Sequence, residues 1–373
     1  SDPDYADNQW ALDNTGQTGG TVDADIDADL AWDIETGRSD VIVAVIDTGV
    51  DLDHLDLRQN LWRTNIGTTF IYGKDIVDGD FYPDDSHGHG THVAGVIGAR
   101  AGTGAGTMGI AGLNWDVKIM PVRVLNAFGV GTSSDVIVGL DYAVSHGASI
   151  VNMSLGVSGV GENSDADSFY VELREARDHG DMGVLVVAAA GNDGLDNDGE
   201  LASFPASYDL SNIISVAASD HDDAMADFSN FGSSSVDLAA PGVDILSTWL
   251  DNGTLSESGT SMAAPHVAGV AALVLAKSKD LAAPLNYLQI RDTLLTSVDK
   301  MAAFKDVTLT GGRLNANNAL QRLVGPNVVI TSVAFDVESG TGNGDEFWSP
   351  TETALFDVTL KNTGALTATA VSL

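Results

Sequence analysis

The sequence predicts an α/β fold: a three-layer, mostly parallel sheet with helices on both faces, followed by a short β-rich segment. Apolar, β-branched runs alternate with helical patterns, and strands that are apolar on both faces are typical of a parallel sheet covered by helices. The predicted strands are residues 41–46, 119–125, 149–153, 184–190 and 212–217. The predicted helices are residues 91–99, 134–146, 169–179 and 262–277. Because ligands of such folds bind beyond the carboxyl ends of the strands, functional residues are expected there.

A second, smaller region begins after the glycine and proline at positions 325 and 326. Residues 327–373 alternate apolar and polar side chains, with Gly, Asn and Asp between the runs, as in the first strands of a β-sandwich. So short a stretch is small for an independent core. We therefore predict a main domain over residues 1–325 and a partial β-sandwich over residues 326–373. The partial sandwich is either a truncated accessory module or a segment docked on the main domain.

Composition narrows the classes of function. The chain has 373 residues and a formal net charge of −36, which repels nucleic acid and anionic membrane surfaces at long range. It has no cysteine, which excludes disulfides, thiol catalysis and cysteine zinc sites. No apolar run is long enough for a transmembrane helix, and a signal peptide is absent or already removed. The acidic side chains could serve to bind divalent cations, but three bound calcium ions would change the net charge from −36 only to −30. Most of the acidic residues are therefore assigned to a solvated surface.

Three glycine-flanked motifs contain the candidate catalytic residues. Val-Ile-Asp-Thr-Gly places Asp47 at the end of a strand, and His-Gly-His-Gly-Thr-His offers three histidines at the start of a helix. Gly-Thr-Ser-Met-Ala-Ala-Pro-His places Ser261 at a helix N-terminus, where free amides favour negative charge, with Pro265 in the first turn. Nucleophilic catalysis by serine needs a hydroxyl, an imidazole base and an orienting carboxylate. The combination favours catalysis over a serine that only caps a helix.

Together the motifs resemble those of the subtilisin-like serine peptidases (subtilases), in particular the thermitase branch, over roughly residues 2–322. The resemblance implies a subtilisin-like fold and a triad of Asp47, His89 and Ser261. His89 is chosen as the base because it is the first histidine of the family pattern His-Gly-Thr-His. By the same resemblance, Asn192 in Val-Ala-Ala-Ala-Gly-Asn would form the oxyanion hole with the Ser261 backbone N–H. A simple turn asparagine is the alternative for Asn192.

The remaining histidines of these motifs are expected to have no chemical role. His87 is predicted to face solvent, whereas His92 and His266 are predicted to be helix residues.

The resemblance also implies a cleft for an extended peptide, which binds as an added strand between two edges. Ser133 stands where some relatives carry an aromatic side chain, so an open outer subsite is predicted. We expect broad cleavage with an apolar or aromatic preference at the scissile (P1) residue. The substrate-binding residues implied are Ser154, Leu155 and Gly156 on one edge, Gly129 and Gly131 on the other, and Ala189, Ala190 and Gly191 along the primary pocket.

A calcium loop is predicted just before the histidine motif. Carboxylates spaced by two or three residues can converge on calcium, which takes six to eight oxygen ligands. The segment resembles a calcium loop of the thermitase branch, and an acidic surface turn is the alternative. Its predicted ligands are Asp75, Asp78, Asp80, the Tyr82 carbonyl and Asp84.

One or two further calcium sites are suggested by the same resemblance. One combines Asp2 and Asp56 with the glycine-rich loop 101–110, and a weaker one contains Asp223 with carbonyls near Pro205. The acidic insert 193–200 is either another cation loop or a solvated turn. In a chain without disulfides, two or three structural Ca²⁺ ions would stabilise the native state by mass action.

The sequence therefore predicts a secreted, extracellular, calcium-stabilised serine endopeptidase that acts on protein and peptide substrates. It is expected to be a monomer that has lost an N-terminal propeptide, with no nucleic-acid or membrane partner. One alternative is an inactive subtilase that binds a partner through residues 327–373, which the intact triad and Asn192 oppose. The other is a sedolisin-type acid peptidase with a glutamate base, which the His-Gly-Thr-His pattern opposes.

Overall fold

The computed structural model describes residues 4–67, 69–101, 109–159, 161–325, 328–341 and 353–362. The chain divides into two compact units, Ser1–Leu320 and Gln321–Leu373. The helices are α1 Tyr5–Asn8, α2 Ala28–Trp32, α3 His89–Gly98, α4 Ser133–Ser145, α5 Ser168–Arg177, α6 Thr260–Asp280, α7 Tyr287–Leu295 and α8 Ala316–Val324. The strands are β1 Ile42–Asp47, β2 Thr64–Ile66, β3 Thr69–Ile71, β4 Lys74–Asp75, β5 Lys118–Arg123, β6 Ile150–Met153, β7 Val157–Ser158, β8 Leu185–Ala189, β9 Ser203–Phe204, β10 Ile213–Ser219, β11 Leu238–Pro241, β12 Ile245–Trp249, β13 Gly253–Glu257, β14 Asp299–Lys300, β15 Gly312–Arg313, β16 Val328–Thr341 and β17 Thr353–Asn362.

The larger unit contains a nine-stranded sheet in the order β14-β15-β11-β10-β8-β6-β1-β5-β4. Every neighbouring pair in it is parallel except β14 and β15, which are antiparallel. The central strands β1, β6, β8 and β10 are almost entirely buried, in agreement with their β-branched, apolar sequences. All five predicted strands are present, with ends shifted by one or two residues.

Two pairs of helices cover this sheet. Helices α4 and α5 pack together over a core that includes alternate residues of β1, β5, β6 and β8, such as Ala44, Met120, Val151 and Val186. Helices α3 and α6 pack against each other, and α6 contacts β6, β8, β10 and β11. The predicted α/β fold, with a mostly parallel sheet between two helical layers, is confirmed.

Helix α6 lies in the core of the larger unit. Among the helices of the described residues it alone is long and apolar enough to cross a membrane, and 89% of its apolar stretch is buried within the protein. Such burial is typical of the core helix of an α/β domain. Pro265 is the sixth residue of α6, so the prediction that it lies in the first turn was wrong. Its missing N–H leaves the Ser261 carbonyl without a helical partner, and the Ser154 hydroxyl donates to that carbonyl at 2.8 Å.

The smaller unit contains the antiparallel pair β16 and β17, with Val333 opposite Val358 and Phe335 opposite Phe356. The register shifts between Ile330 and Ser332 and again between Asp336 and Thr341. The domain boundary at 325/326 and the partial β-sandwich stay predictions.

Candidate active site

The predicted functional residues gather where neighbouring parallel strands end. Asp47 is the last residue of β1, Ser154 follows β6, and Asn192 lies three residues beyond β8. These strands are adjacent in the sheet, so their carboxyl ends lie along one edge. Helices begin at the same edge, with His89 as the first residue of α3 and Ser261 as the second residue of α6.

Asp47 and His89 form a direct hydrogen bond. The Nδ1 atom of His89 lies 2.7 Å from Oδ1 of Asp47, which also accepts the Thr48 N–H at 2.7 Å. Asp47 is fully buried. Because a carboxylate only accepts hydrogen bonds, Nδ1 carries the proton, which leaves Nε2 of a neutral His89 able to accept another one.

The charge of Asp47 also affects the basicity of His89. Burial alone lowers the pKa of the imidazole, but the Asp47 charge and hydrogen bond outweigh burial, with smaller contributions from Asp85 and Glu257. The pKa of His89 is therefore raised above its ordinary value. With 24% of its side chain exposed, His89 remains accessible from the cleft.

The N-terminus of α3 is fixed by Asp85, a residue that the sequence analysis did not single out. One oxygen of Asp85 accepts the N–H groups of His87 and Gly88 at 2.9 and 3.0 Å, and the other accepts the N–H and hydroxyl of Thr91 at 3.0 and 2.7 Å. The N-cap residue of α3 is Gly88 rather than Asp85, so the sequence carries no capping signal that would have identified Asp85.

Gly90 lets α3 approach β1 closely. A Cβ atom at this position would lie 2.1 Å from the Gly49 carbonyl oxygen and 3.1 Å from Cβ of Asp47. The glycine between His89 and Thr91 is thus needed for the short distance between His89 and Asp47.

Ser261 and Asn192 lie side by side at the N-terminus of α6. The Ser261 hydroxyl donates to the Ser154 carbonyl at 3.2 Å. Oδ1 of Asn192 accepts the N–H and hydroxyl of Thr260 at 2.8 and 2.9 Å. A Cβ atom on Gly259 would lie 3.5 Å from Nδ2 of Asn192 and 3.7 Å from the Ser261 nitrogen. Nδ2 of Asn192 and the Ser261 N–H therefore both lie close to Gly259, the residue that precedes α6.

A cleft of about 520 Å³ opens beside His89. Five of the predicted substrate-binding residues line it, namely Ser154, Leu155, Gly156, Gly129 and Gly131. His87 also lines the cleft and is half-buried, so the prediction that it faces solvent was wrong. The Asp85 carboxylate accepts the His87 N–H at 2.9 Å and so holds the backbone of His87 close to His89.

The other predicted pocket residues are placed differently. Ala189 and Ala190 are buried, and Ala190 packs in a small core cluster with Ala217, Val236 and Phe304. Neither they nor Gly191 are among the residues that line the cleft in the described chain. Ser133 borders the cleft and a second cavity of about 600 Å³, which is also lined by Val157, Phe169, Phe204 and Tyr208.

His92 and His266 are helix residues as predicted, on α3 and α6, and both are buried. Nε2 of His92 lies 2.9 and 3.1 Å from the carbonyl oxygens of Ile245 and Leu255. Burial lowers the pKa of each imidazole to about 4.

The predicted calcium loop is closed around an arginine. Nη1 of Arg123 lies 2.6 Å from Oδ2 of both Asp75 and Asp78. Asp80 accepts the Tyr82 N–H at 2.8 Å, and the Tyr82 carbonyl accepts the N–H of Asp84 at 2.8 Å. Within the described ranges, no three acidic or histidine side chains are arranged to hold a metal ion. The oxygen donors suit a hard cation, but Arg123 already balances two of the carboxylates.

Of the acidic residues predicted for the other calcium sites, the structure describes Asp56 and Asp223. Asp56 is buried, and its carbonyl accepts the Arg100 N–H at 2.8 Å, at the start of the loop 101–110. Asp2 and residues 102–108 lie outside the described residues. Asp223 pairs with the buried Arg313 at 2.5 Å, so its charge is already balanced. In the insert 193–200, Asp198 accepts the Ser235 N–H at 2.9 Å.

Comparison with known proteins identifies the family. A family model described as the Subtilase family matches residues 38–325. The chain is 40% identical over 293 residues to the thermophilic serine proteinase of Bacillus sp. AK1, covering 78% of this chain and 64% of that protein. It is 39% identical over 297 residues to thermitase of Thermoactinomyces vulgaris, covering 79% of this chain and 94% of thermitase.

Two further similarities agree with these. Halolysin of Haloferax mediterranei is 39% identical over 299 residues, which cover 79% of this chain and 52% of halolysin. The solved structure of a protease from Pseudoalteromonas arctica PAMC 21717 matches with a TM-score of 0.69 and 29% identity, covering 86% of this chain and 98% of that one. Its fold, its match to the family model and its similarity to these serine proteinases establish that the chain belongs to the subtilase family of serine endopeptidases.

Proposed function

We propose that this chain hydrolyses peptide bonds through an acyl-enzyme on Ser261, with His89 as the general base, Asp47 as its orienting carboxylate and Asn192 in the oxyanion hole. The observation that supports this most strongly is the 2.7 Å contact of His89 Nδ1 with the buried Asp47, at the edge of the sheet where Ser261 and Asn192 lie together. Such a contact fixes the imidazole in the tautomer that general-base catalysis requires.

In the proposed reaction, the Ser261 hydroxyl attacks the scissile carbonyl and its proton passes to Nε2 of His89. The negative charge that develops on the carbonyl oxygen is held by the Ser261 N–H and by Nδ2 of Asn192. Asp47 stabilises the imidazolium, which then protonates the leaving amine. Water, deprotonated by His89, hydrolyses the acyl-enzyme by the same steps in reverse.

The cleft supports the proposal of broad specificity with an apolar or aromatic preference at the scissile residue. Its described lining contains no Asp, Glu, Lys or Arg side chain. Apolar walls without a fixed charge bind apolar side chains and discriminate weakly among them. Cleavage confined to sites after basic or acidic residues would contradict this specificity.

We further propose that calcium stabilises the domain at the loop that contains Asp75, Asp78, Asp80, Tyr82 and Asp84, and at Asp2 and Asp56; a third site at Asp223 stays a prediction. Burial and the nearby charges of Asp51, Asp53 and Asp85 raise the pKa of Asp84. Carboxylates that repel one another in this way gain stability from a bound cation. No step of the proposed reaction involves the metal. The resemblance to the family also favours a secreted, monomeric enzyme released from an N-terminal propeptide.

The peptidase proposal is tested by casein hydrolysis and labelling with phenylmethylsulfonyl fluoride. We expect hydrolysis that the reagent abolishes, with one sulfonyl group found on Ser261 by peptide mass spectrometry. Ser261→Ala should be inactive and unlabelled but folded by circular dichroism. Hydrolysis that survives in Ser261→Ala would overturn the assignment of the nucleophile, and a folded wild type without activity would favour the binding-module alternative. Activity only at strongly acidic pH would favour the sedolisin alternative.

The calcium proposal is tested separately by thermal unfolding of Ser261→Ala, which removes autolysis from the measurement. Excess chelator should lower the melting temperature, because a ligand held at a thousandfold excess over its Kd stabilises the native state by about 4 kcal/mol. Calcium, but not sodium, should restore it. An unchanged melting temperature in chelator would contradict structural calcium.

A further inference from the structure

The first turn of α3, which carries the proposed base His89, is not capped by its own residues. The N-cap position is Gly88, which has no side chain and adopts a φ of +108°. A helix leaves the N–H groups of its first residues without partners inside the helix. Side chains from outside α3 must therefore hold the turn on which the orientation of His89 depends.

Two side chains from outside the helix accept these N–H groups. Oδ2 of Asp85 accepts the N–H of Thr91 at 3.0 Å and its hydroxyl at 2.7 Å. The hydroxyl oxygen of Thr48 accepts the Gly90 N–H at 2.9 Å. Oδ1 of Asp85 accepts the N–H groups of the two residues just before His89, at 2.9 and 3.0 Å. Asp85 thus holds the backbone on both sides of His89.

The segment that contains Asp85 is also tied to the chain that follows Asp47. The backbone N–H of Asp85 donates to the Val50 carbonyl at 3.3 Å. The Thr91 hydroxyl oxygen, which donates to Asp85, also accepts the N–H of the residue after Val50, at 2.9 Å. Asp85 therefore connects the helix that carries His89 to the segment that begins at Asp47. The 2.7 Å contact between His89 and Asp47 depends on this connection.

The charge of Asp85 suits the proposed reaction better than the resting state. Asp85 is 7% exposed, and in the described chain its carboxylate accepts hydrogen bonds from neutral N–H and O–H groups of residues 87–91. A buried carboxylate without a cationic partner destabilises a folded protein. Burial lowers the pKa of His89, but Asp47 and, to a smaller extent, Asp85 raise it. The unfavourable burial of Asp85 is therefore offset in part when His89 becomes an imidazolium.

We propose that Asp85 is a positioning residue, which holds the first turn of α3 so that His89 stays in contact with Asp47 and which stabilises the positive charge that forms on His89. The inference rests on the proposed peptidase function and adds to it a second carboxylate near the base. Asp85 is not among the described lining residues of the cleft. Its loss should therefore affect turnover rather than substrate binding.

The kinetic test compares Asp85→Ala with Asn286→Ala. Asn286 is a matched control because its side chain accepts the Gln289 N–H at 2.9 Å at the N-terminus of α7 and does not line the cleft. We expect Asp85→Ala to lower kcat on a chromogenic peptide about 10²-fold at nearly constant KM, the size expected when a catalytic group is misplaced by about 1 Å. Asn286→Ala should leave both constants unchanged. Asp85→Asn retains one acceptor oxygen and should recover part of the loss.

The pH dependence separates this role from a purely structural one. Asp47 and Glu257 are the other acidic groups that act on His89, and both remain in the Asp85 variants. Because one negative charge near His89 is lost, the midpoint of kcat/KM should move to lower pH in Asp85→Ala and in Asp85→Asn. An unchanged kcat in folded Asp85→Ala, an equal loss in Asn286→Ala, or an unchanged midpoint in both Asp85 variants would overturn the proposal.

A spectroscopic measurement keeps the inference testable without turnover. In the Ser261→Ala background, the Nδ1 proton of His89 should give a low-field NMR signal because of its hydrogen bond to Asp47, and His89→Gln assigns that signal by removing it. Asp85→Ala should broaden or shift the signal, whereas Asn286→Ala should not. A signal that Asp85→Ala leaves unchanged would contradict the positioning role. Should Asp85→Ala not fold, Asp85→Asn serves in both tests. Wild-type inactivity would refute the proposed function but leave this measurement decisive.

Discussion

His89 and His92 lie one turn apart on α3 but in opposite electrostatic surroundings. His89 lies against the carboxylate of Asp47, and its pKa is raised although burial opposes this. His92 has no such partner and contacts the carbonyls of Ile245 and Leu255, so burial lowers its pKa to about 4. An imidazole is thus suited to accept a proton at His89, whereas at His92 it is a neutral hydrogen-bond donor within the core. The charged partner, not the residue type, makes the difference.

The largest expected effect is the loss of turnover when Asp47, which contacts His89, is changed. Asp47→Asn keeps the shape of the side chain but removes the negative charge that holds the Nδ1 proton of His89. We expect kcat on a chromogenic peptide to fall on the order of 10⁴-fold, the size known for Asp→Asn in a chymotrypsin-type triad and close to the loss on removing the subtilisin aspartate. His92→Gln, which alters the neighbouring turn of α3, should retain turnover at pH 8. An Asp47→Asn variant with more than about a tenth of wild-type activity would refute the assigned role of Asp47.

The next effect concerns stability in acid. The pKa of His92 in the folded protein lies below its ordinary value of 6.5. Between pH 6.5 and pH 4, unfolding therefore takes up a proton at His92. The contribution of His92 to the free energy of unfolding is lost as the pH falls through this range. We expect the advantage of wild type over His92→Gln in free energy of unfolding to shrink by about 3 kcal/mol between pH 7 and pH 4. Urea unfolding of both proteins in the Ser261→Ala background measures this.

Other groups titrate in the same range but do not affect that difference. His266 acts in the same direction as His92, since its pKa is also about 4. Asp25 opposes both, because burial raises its pKa to about 6. These groups are present in both proteins and cancel. A constant difference between wild type and His92→Gln would mean that folding does not lower the pKa of His92.

The smallest expected effect is on the pH dependence of activity. Because catalysis requires neutral His89 and its pKa is raised, kcat/KM should increase with pH through a midpoint above 6.5. Glu257 contributes to that raised pKa, so Glu257→Gln should move the midpoint to lower pH. The shift should diminish at high salt, as expected for interaction across solvent. A midpoint that moves upward in Glu257→Gln would refute this electrostatic account.

Much of the fold could be predicted from the sequence because the buried strands are continuous apolar runs that end in polar residues. Asp47 and Ser154 could be placed at strand ends for this reason. The positions of side chains that depend on distant neighbours could not. Asp75 lies in register with Arg123 in the β4–β5 pair, so the guanidinium group of Arg123 occupies part of the predicted calcium loop. The spacing of the acidic residues contains no sign of that partner.

Two smaller differences have similar causes. His87 lines the cleft because Asp85 fixes its backbone, and Ala190 turns into the core because β8 ends one residue before it. Both depend on local backbone direction, which residue type alone does not determine. The C-terminal elements α7, α8 and β11 were not predicted.

The proline in α6 has a mechanical consequence. By leaving the Ser261 carbonyl open, Pro265 allows Ser154 and Ser261 to exchange two hydrogen bonds, at 2.8 and 3.2 Å. Ser154 of the cleft wall and the proposed nucleophile Ser261 are thereby joined directly, so that a shift of one moves the other.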